Sequence, residues 1–326
     1  MSRPKDTDYL SVSARLRAME NRLIDREKTE RMLEAPTDEE ARKVLTECGY
    51  ADQIPLEEAL RRRRAELYRE LKKAVPDVRL VELFQIKYDY HNIKAILKAW
   101  SRGIAADDLL LEGGRYDAGM LQSQWQQSQQ MEIPEPGRQA VGRAAALLRE
   151  KDPQGADLVL DAACYAEMHA LADALKSDFL HGYVRLLTDA ANLRTVVRAA
   201  RCGGDTVLLA KALLPGGSVS AHTLQTAEPA KLAEIFCAGP LSRAAELGAA
   251  AATPAGGSLT AFEKACDDAV TAYLAAARRV PFGEQTVVGY LYAVEQEIIA
   301  VRTVFAGRQA GLDAEVIGSR LRNSYV

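Results

Sequence analysis

Asp89-Tyr-His-Asn92-Ile-Lys94-Ala-Ile96-Leu97-Lys98-Ala99, closed by Gly103, is a segment that this 326-residue chain writes three times. The second copy is Asp189-Ala-Ala-Asn192-Leu-Arg194-Thr-Val196-Val197-Arg198-Ala199, closed by Gly203. The third is Glu297-Ile-Ile-Ala300-Val-Arg302-Thr-Val304-Phe305-Ala306-Gly307, followed by Gly311. In each copy an acid, a basic residue five positions on and a glycine fourteen positions on keep their spacing. A unit of roughly 100 residues is therefore repeated, and such a period governs the fold.

Each copy reads as a helix. Ile93, Ile96, Leu97 and Trp100 recur at steps of three and four, which places them on one face. The closing glycine suits a left-handed helix end, where a missing Cβ relieves strain. Asp89, Asn92, Ile96 and Ala99 form a line along the helix, and Asp189, Asn192, Val196 and Ala199 repeat it. Polar groups on such a stripe need hydrogen-bond partners if buried. Lys94 with Lys98, and Arg194 with Arg198, fall on another face and read as solvated or partner-facing.

The repeat extends on both sides. Leu110-Leu-Glu-Gly-Gly114-Arg-Tyr-Asp-Ala118 matches Leu213-Leu-Pro-Gly-Gly217-Ser-Val-Ser-Ala221. Upstream, Glu57, Asp161 and Glu263 each follow an apolar residue in a helical pattern. The unit is thus an acid-bearing helix, the Asp-x-x-Asn helix, a Gly-Gly turn and a further helix. The third copy shows no Gly-Gly segment before Val326, and one helix expected over about Ser11 to Leu33 has no unit before it. If that first helix packs near the last, three units (1–116, 117–219 and 220–326) close into one pseudo-threefold body.

Composition bounds the rest. Helix formers dominate, aromatics are 6%, and alternating β-branched runs are scarce, so the fold class is all-α. Five cysteines without CxxC spacing read as buried thiols in a reducing compartment. No secretory leader or membrane-spanning run is read. A net charge of −3 does not suggest nucleic-acid binding. Arg61–Arg64, flanked by Glu57, Glu58, Glu66 and Glu70, reads as a solvated, salt-bridged helix face. Loops are expected at Glu34–Thr37, Gly113–Gly114, Pro134–Gly137, Pro153–Gly155, Pro215–Gly217 and Pro254–Gly257. All are short, so the units should pack on one another.

No phosphate-binding GxxxxGK[ST] occurs, and the four histidines lack ligand spacing, so neither a nucleotide nor a metal site is expected. Asp89, Asp189 and Glu297 could serve a helical hydrolase as acid–base groups. That chemistry needs unlike environments, whereas three equivalent copies imply equivalent roles. Each acid is read instead as ordering its neighbouring helix, with no catalytic residue, cofactor or small-molecule substrate.

At this point the residues resemble a known family. Ala14-Arg-Leu-Arg17-Ala-Met-Glu20-Asn-Arg-Leu23, the two Asp-x-x-Asn segments, Tyr290-Leu-Tyr-Ala-Val-Glu295-Gln-Glu297-Ile, and the tail Gly311-Leu-Asp-Ala-Glu-Val-Ile317-Gly-Ser-Arg320-Leu-Arg-Asn-Ser-Tyr325-Val carry the resemblance from about Tyr9 to Val326. The chain is similar to the C-type rotor subunits of the A/V-type ATPase (ATP synthase), the d-type in eukaryotes. Ala300 departs from the pattern, as does the short stretch between Leu33 and Glu57. The resemblance implies three helical domains arranged as a funnel and a non-catalytic rotor role. Its implied partners are the D and F subunits of the central stalk, the membrane proteolipid ring and the membrane stator. It implies a peripheral place on the cytoplasmic face of the membrane. The recurring residues Asp89, Asn92, Lys94, Asp189, Asn192, Arg194, Glu297 and Arg302 are the candidate partner-binding or interdomain positions. A helical-repeat scaffold for a soluble partner is the competing reading.

Overall fold

The computed structural model describes residues 4–253 and 256–326, so the predicted Pro254–Gly257 loop lies partly outside the described residues. Every regular element among the described residues is helical. In chain order these are α1 (Leu10–Glu20), α2 (Arg26–Glu34), α3 (Asp38–Glu47), α4 (Leu56–Ala74), α5 (Arg79–Arg102), α6 (Ala118–Gln126), α7 (Glu135–Arg149) and α8 (Pro153–Leu175). There follow α9 (Asp178–Arg201), α10 (Thr206–Ala212), α11 (Ala221–Thr226), α12 (Leu232–Ile235), α13 (Ser242–Ala251), α14 (Leu259–Ala275), α15 (Glu284–Gln309) and α16 (Ala314–Arg320). None is long and apolar enough to cross a membrane.

The helices start where side chains can satisfy their free amides. Asp25, Asp117, Ser177, Ser220 and Ser258 each accept a backbone N–H from the first turn. Asp25 explains why the single helix expected from Ser11 to Leu33 is two, since it caps α2 after α1 has ended. Pro153 and Pro136 do not mark loops: each sits in the first turn of a helix, where a missing N–H costs nothing. Gly103 ends α5 at φ 67°.

Six long helices form three sequential pairs, α4–α5, α8–α9 and α14–α15. Each pair also packs on the next: α5 on α8, α9 on α14, and α15 back on α4. The six therefore make a closed circuit. Shorter helices pack onto the second member of each pair: α6 and α7 on α5, and α10, α11 and α13 on α9. On α15 that place is taken by α2, with α16 packed on both. The first helix rests on the last long one, α1 against α15. One continuous apolar core runs through the whole body, from Tyr9 to Tyr325.

Candidate functional site

The Asp-x-x-Asn line grips the turn that follows it. Asn92 Nδ2 donates to Leu111 O at 2.8 Å and its Oδ1 accepts Leu111 N at 2.7 Å. Asn192 does the same to Leu214, at 2.8 and 2.7 Å. One helical turn earlier, Asp89 accepts Arg115 N at 2.8 Å and Arg115 Nε at 2.6 Å. Asp189 accepts Ser218 N at 2.8 Å and the Ser218 hydroxyl. A Cβ on Gly114 or Gly217 would run into the Asp89 or Asp189 carboxylate, so the second glycine of each pair lets the turn approach. All four side chains are buried. Burial pushes the Asp89 carboxyl up from its ordinary range, although Arg115 pulls the other way.

In the third copy the grip is on the other end of the chain. Glu297 accepts Ile24 N at 2.6 Å and the Tyr50 hydroxyl. Ile24 precedes the Asp25 cap of α2, as Arg115 and Ser218 precede the caps of α6 and α11. Ala300 has no amide to complete the clamp, and a cavity of about 240 Å³ lies against it, lined also by Leu23, Ile299 and Thr303. Burial raises the Glu297 carboxyl above the usual range, against the pull of Tyr50 and Ile24 N–H.

The basic residues join one helix pair to the next. Lys94 Nζ reaches Asp161 at 2.5 Å and Lys98 reaches Asp157 at 2.7 Å, from α5 to α8. Arg194 reaches Glu263 at 2.7 Å and also Asp267, from α9 to α14. Arg302 reaches Glu57 at 2.7 Å, from α15 to α4. Each repeated cation thus meets the repeated acid of the following unit, and the last meets the first. Lys94 and Arg194 are mostly covered, which corrects the expectation of a solvated face; Arg198 keeps a largely exposed side chain while pairing with Glu263. Arg115 adds a bridge to Glu167 of α8, which also accepts the Tyr90 hydroxyl.

One charged cluster was not visible in the repeat. Glu295, 2% exposed, accepts the hydroxyls of Tyr68 (3.0 Å) and Tyr88, and Lys87 Nζ at 3.2 Å. The Arg64 guanidinium lies 3.4 Å away and stacks on Tyr88, its centre 4.9 Å from the ring. Burial works against the Glu295 charge, yet Lys87 and Arg64 outweigh it and hold the carboxyl below its ordinary value. The basic run is therefore split. Arg61 and Arg62 pair on the surface with Glu58 and Glu66 as expected. Arg64 is buried, and Arg63 stacks over Tyr50 and donates to the Tyr290 hydroxyl at 3.4 Å. The cysteines divide similarly: Cys48, Cys164 and Cys266 are buried, whereas Cys202 and Cys237 are exposed. Among the described residues no three metal-ligating side chains cluster.

A family model described as ATP synthase (C/AC39) subunit matches residues 12–320. The C subunit of the V-type sodium ATPase of Enterococcus hirae is 21% identical over 325 residues, covering 98% of this chain and 99% of that protein. The C subunit of the A-type ATP synthase of Methanocaldococcus jannaschii is 24% identical, covering 96% and 86%. Its counterpart in Pyrococcus horikoshii is 25% identical, covering 68% and 64%.

The clamps and the buried acids can be tested by denaturation. Gly217→Ala should cost about 1–3 kcal/mol in urea, and much less once Asp189 is alanine, because the added methyl then has room. Glu295→Gln strands Arg64 and should cost about 3–5 kcal/mol at neutral pH. With its folded-state pKa depressed, Glu295 stabilises above its unfolded value of about 4.3, and that gain is lost as pH falls below it. Glu297 has the opposite sign: its folded pKa is raised, so its contribution is full below about pH 4.3 and fades as pH rises. Denaturation of the two Gln variants against pH should therefore show Glu295→Gln approaching wild type in acid, and Glu297→Gln gaining on wild type as pH rises. Parallel curves would contradict the assignment.

Proposed function

The chain belongs to the ATP synthase (C/AC39) subunit family, and from that premise we propose that it is the non-catalytic rotor socket of a V-type (A/V) ATPase. In this reading it joins the central stalk, made of the D and F subunits, to the membrane proteolipid ring, with the membrane stator alongside. It transmits torque for ATP-coupled transport of H⁺ or Na⁺, and it sits peripherally on the cytoplasmic face of the membrane. It binds no nucleotide and carries no ion itself.

The observation that carries the reading is the closure of the helix circuit. Lys94–Asp161, Arg194–Glu263 and Arg302–Glu57 join the pairs in sequence and return to the start. We read this as the pseudo-threefold funnel of units 1–116, 117–219 and 220–326, with the third completed by α2 and α3. Torque needs a body in which a push on one helix reaches all others, and a closed circuit around one core supplies it. Asp89, Asn92, Lys94, Asp189, Asn192, Arg194, Glu297 and Arg302 then serve joints within the chain, leaving its outer faces for partners. A rotor joint that meets a ring of different symmetry needs adaptable, partly polar contacts.

The test is recovery of the tagged chain from gently detergent-solubilised membranes of its own cell, with mass spectrometry of what accompanies it. Stalk subunits and a proteolipid are expected. Soluble partners alone, at every detergent strength, would replace the socket with a scaffold.

A further inference from the structure

We propose that the α4–α15 joint is where the helix circuit opens, and that this opening admits the stalk laterally into the socket; the second clause rests on the function proposed above. The three joints are chemically equivalent in their repeated ion pair and unequal in everything else.

At the α5–α8 joint, Lys94 and Lys98 both pair, Arg115 and Tyr90 both hold Glu167, and α7 packs along α8. At the α9–α14 joint, Arg194 and Arg198 converge on Glu263, Arg194 also takes Asp267, and α13 packs along α14. There Tyr273 also donates to Phe179 O at 2.9 Å, with the two rings stacked 5.4 Å apart.

The α15–α4 joint has two unlike halves. In the first half of α15, Glu295 takes Tyr68 and Arg64 from α4, and Tyr290 takes Arg63. Beyond Ala300, the polar link between the two helices among the described residues is Arg302–Glu57, and the Glu57 side chain is 61% exposed. A pair so exposed contributes little. No packing of α3 on α4 matches that of α7 on α8 or α13 on α14 among the described residues. Of the N-terminal helices, α1 pairs Arg15 with Glu70 near the far end of α4, whereas α2 and α3 are held to α15, through Glu297 on Ile24 and Arg308 on Asp38 and the Met32 and Leu33 carbonyls. The joint is thus fastened at Glu295 and light at Arg302, which is the mechanical form of a jaw pivoting on the buried cluster. Local opening is drawn from regions of this low contact density.

Hydrogen exchange of the full chain tests it. Amides of residues 60–62 in α4, on the Glu57 side of the buried cluster, should exchange at least about tenfold faster than residues 164–166 of α8 and 266–268 of α14, the repeat-equivalent stretches. A Glu57→Cys/Arg302→Cys variant, with Cys202 and Cys237 changed to serine and the new pair bridged by a short bis-maleimide, should remove the difference. The buried thiols will not compete, since burial pushes Cys48 up to about 11 and Cys164 and Cys266 to about 12. The bridged chain should then associate with purified stalk at least about tenfold more slowly than the unbridged one. Exchange equal within about twofold at all three joints overturns the opening. Equal association rates overturn its role in admitting the stalk. A chain that binds no stalk, bridged or not, overturns the socket itself, while the exchange result still decides the opening.

Discussion

A carboxylate buried without partners costs several kcal/mol, and the fold depends on how Glu295 avoids that cost. Its partners come from two other helices: Tyr68 and Arg64 from α4, Tyr88 and Lys87 from α5. α15 cannot bury this acid unless the first helix pair is already beside it. The constraint is directional, because an apolar core tolerates many packings, whereas a buried charge accepts only those that bring its donors within reach. Residues separated by more than 200 positions are thereby forced together, and the circuit has to close.

Around that fixed point the chain solves one local problem three times. A helix of the Asp-x-x-Asn kind holds the stretch of chain that leads into the next helices, and it does so through backbone groups. Twice the held segment follows the helix, at Leu111–Arg115 and Leu214–Ser218. The third time it is Ile24, at the other end of the sequence. The third clamp thus joins the two ends of the sequence, with α2 packed on α15 and Arg308 of α15 paired with Asp38 of α3. The loss of asparagine at Ala300 accompanies that change, since no Leu-Glu-Gly-Gly segment is there to be held.

Much of this was legible in the residues, for identifiable reasons. Asp89 and Asn92 advertised a shared role because they recur at helical spacing, and their partner turn recurred with them. Glu57, Asp161 and Glu263 were visible as repeated acids, but their pairing with the preceding unit's cation spans 67 or 69 residues for the first two joints, and no local spacing encodes it. Glu295 was hidden because it occurs once, and Arg64 because it sits in a run whose first two members are ordinary surface cations. Ile24 could not be found at all: it contributes a backbone N–H, which every residue but proline has. The break between α1 and α2 turned on Asp25, whose capping role was lost inside a pattern that reads as helical on both sides.

If Glu295 makes the three units one body, they should unfold together. The chain offers a native probe, since both tryptophans, Trp100 on α5 and Trp125 on α6, meet edge to face and report on the α5–α6 contact, whereas far-ultraviolet circular dichroism reports on every helix. Urea unfolding followed by both signals at once is the most direct measurement. Coincident transitions, with one midpoint and one slope, are predicted. A tryptophan transition displaced from the dichroism curve would mean that the α5–α6 region melts apart from the rest, and that the buried acid does not bind the circuit into a single cooperative structure.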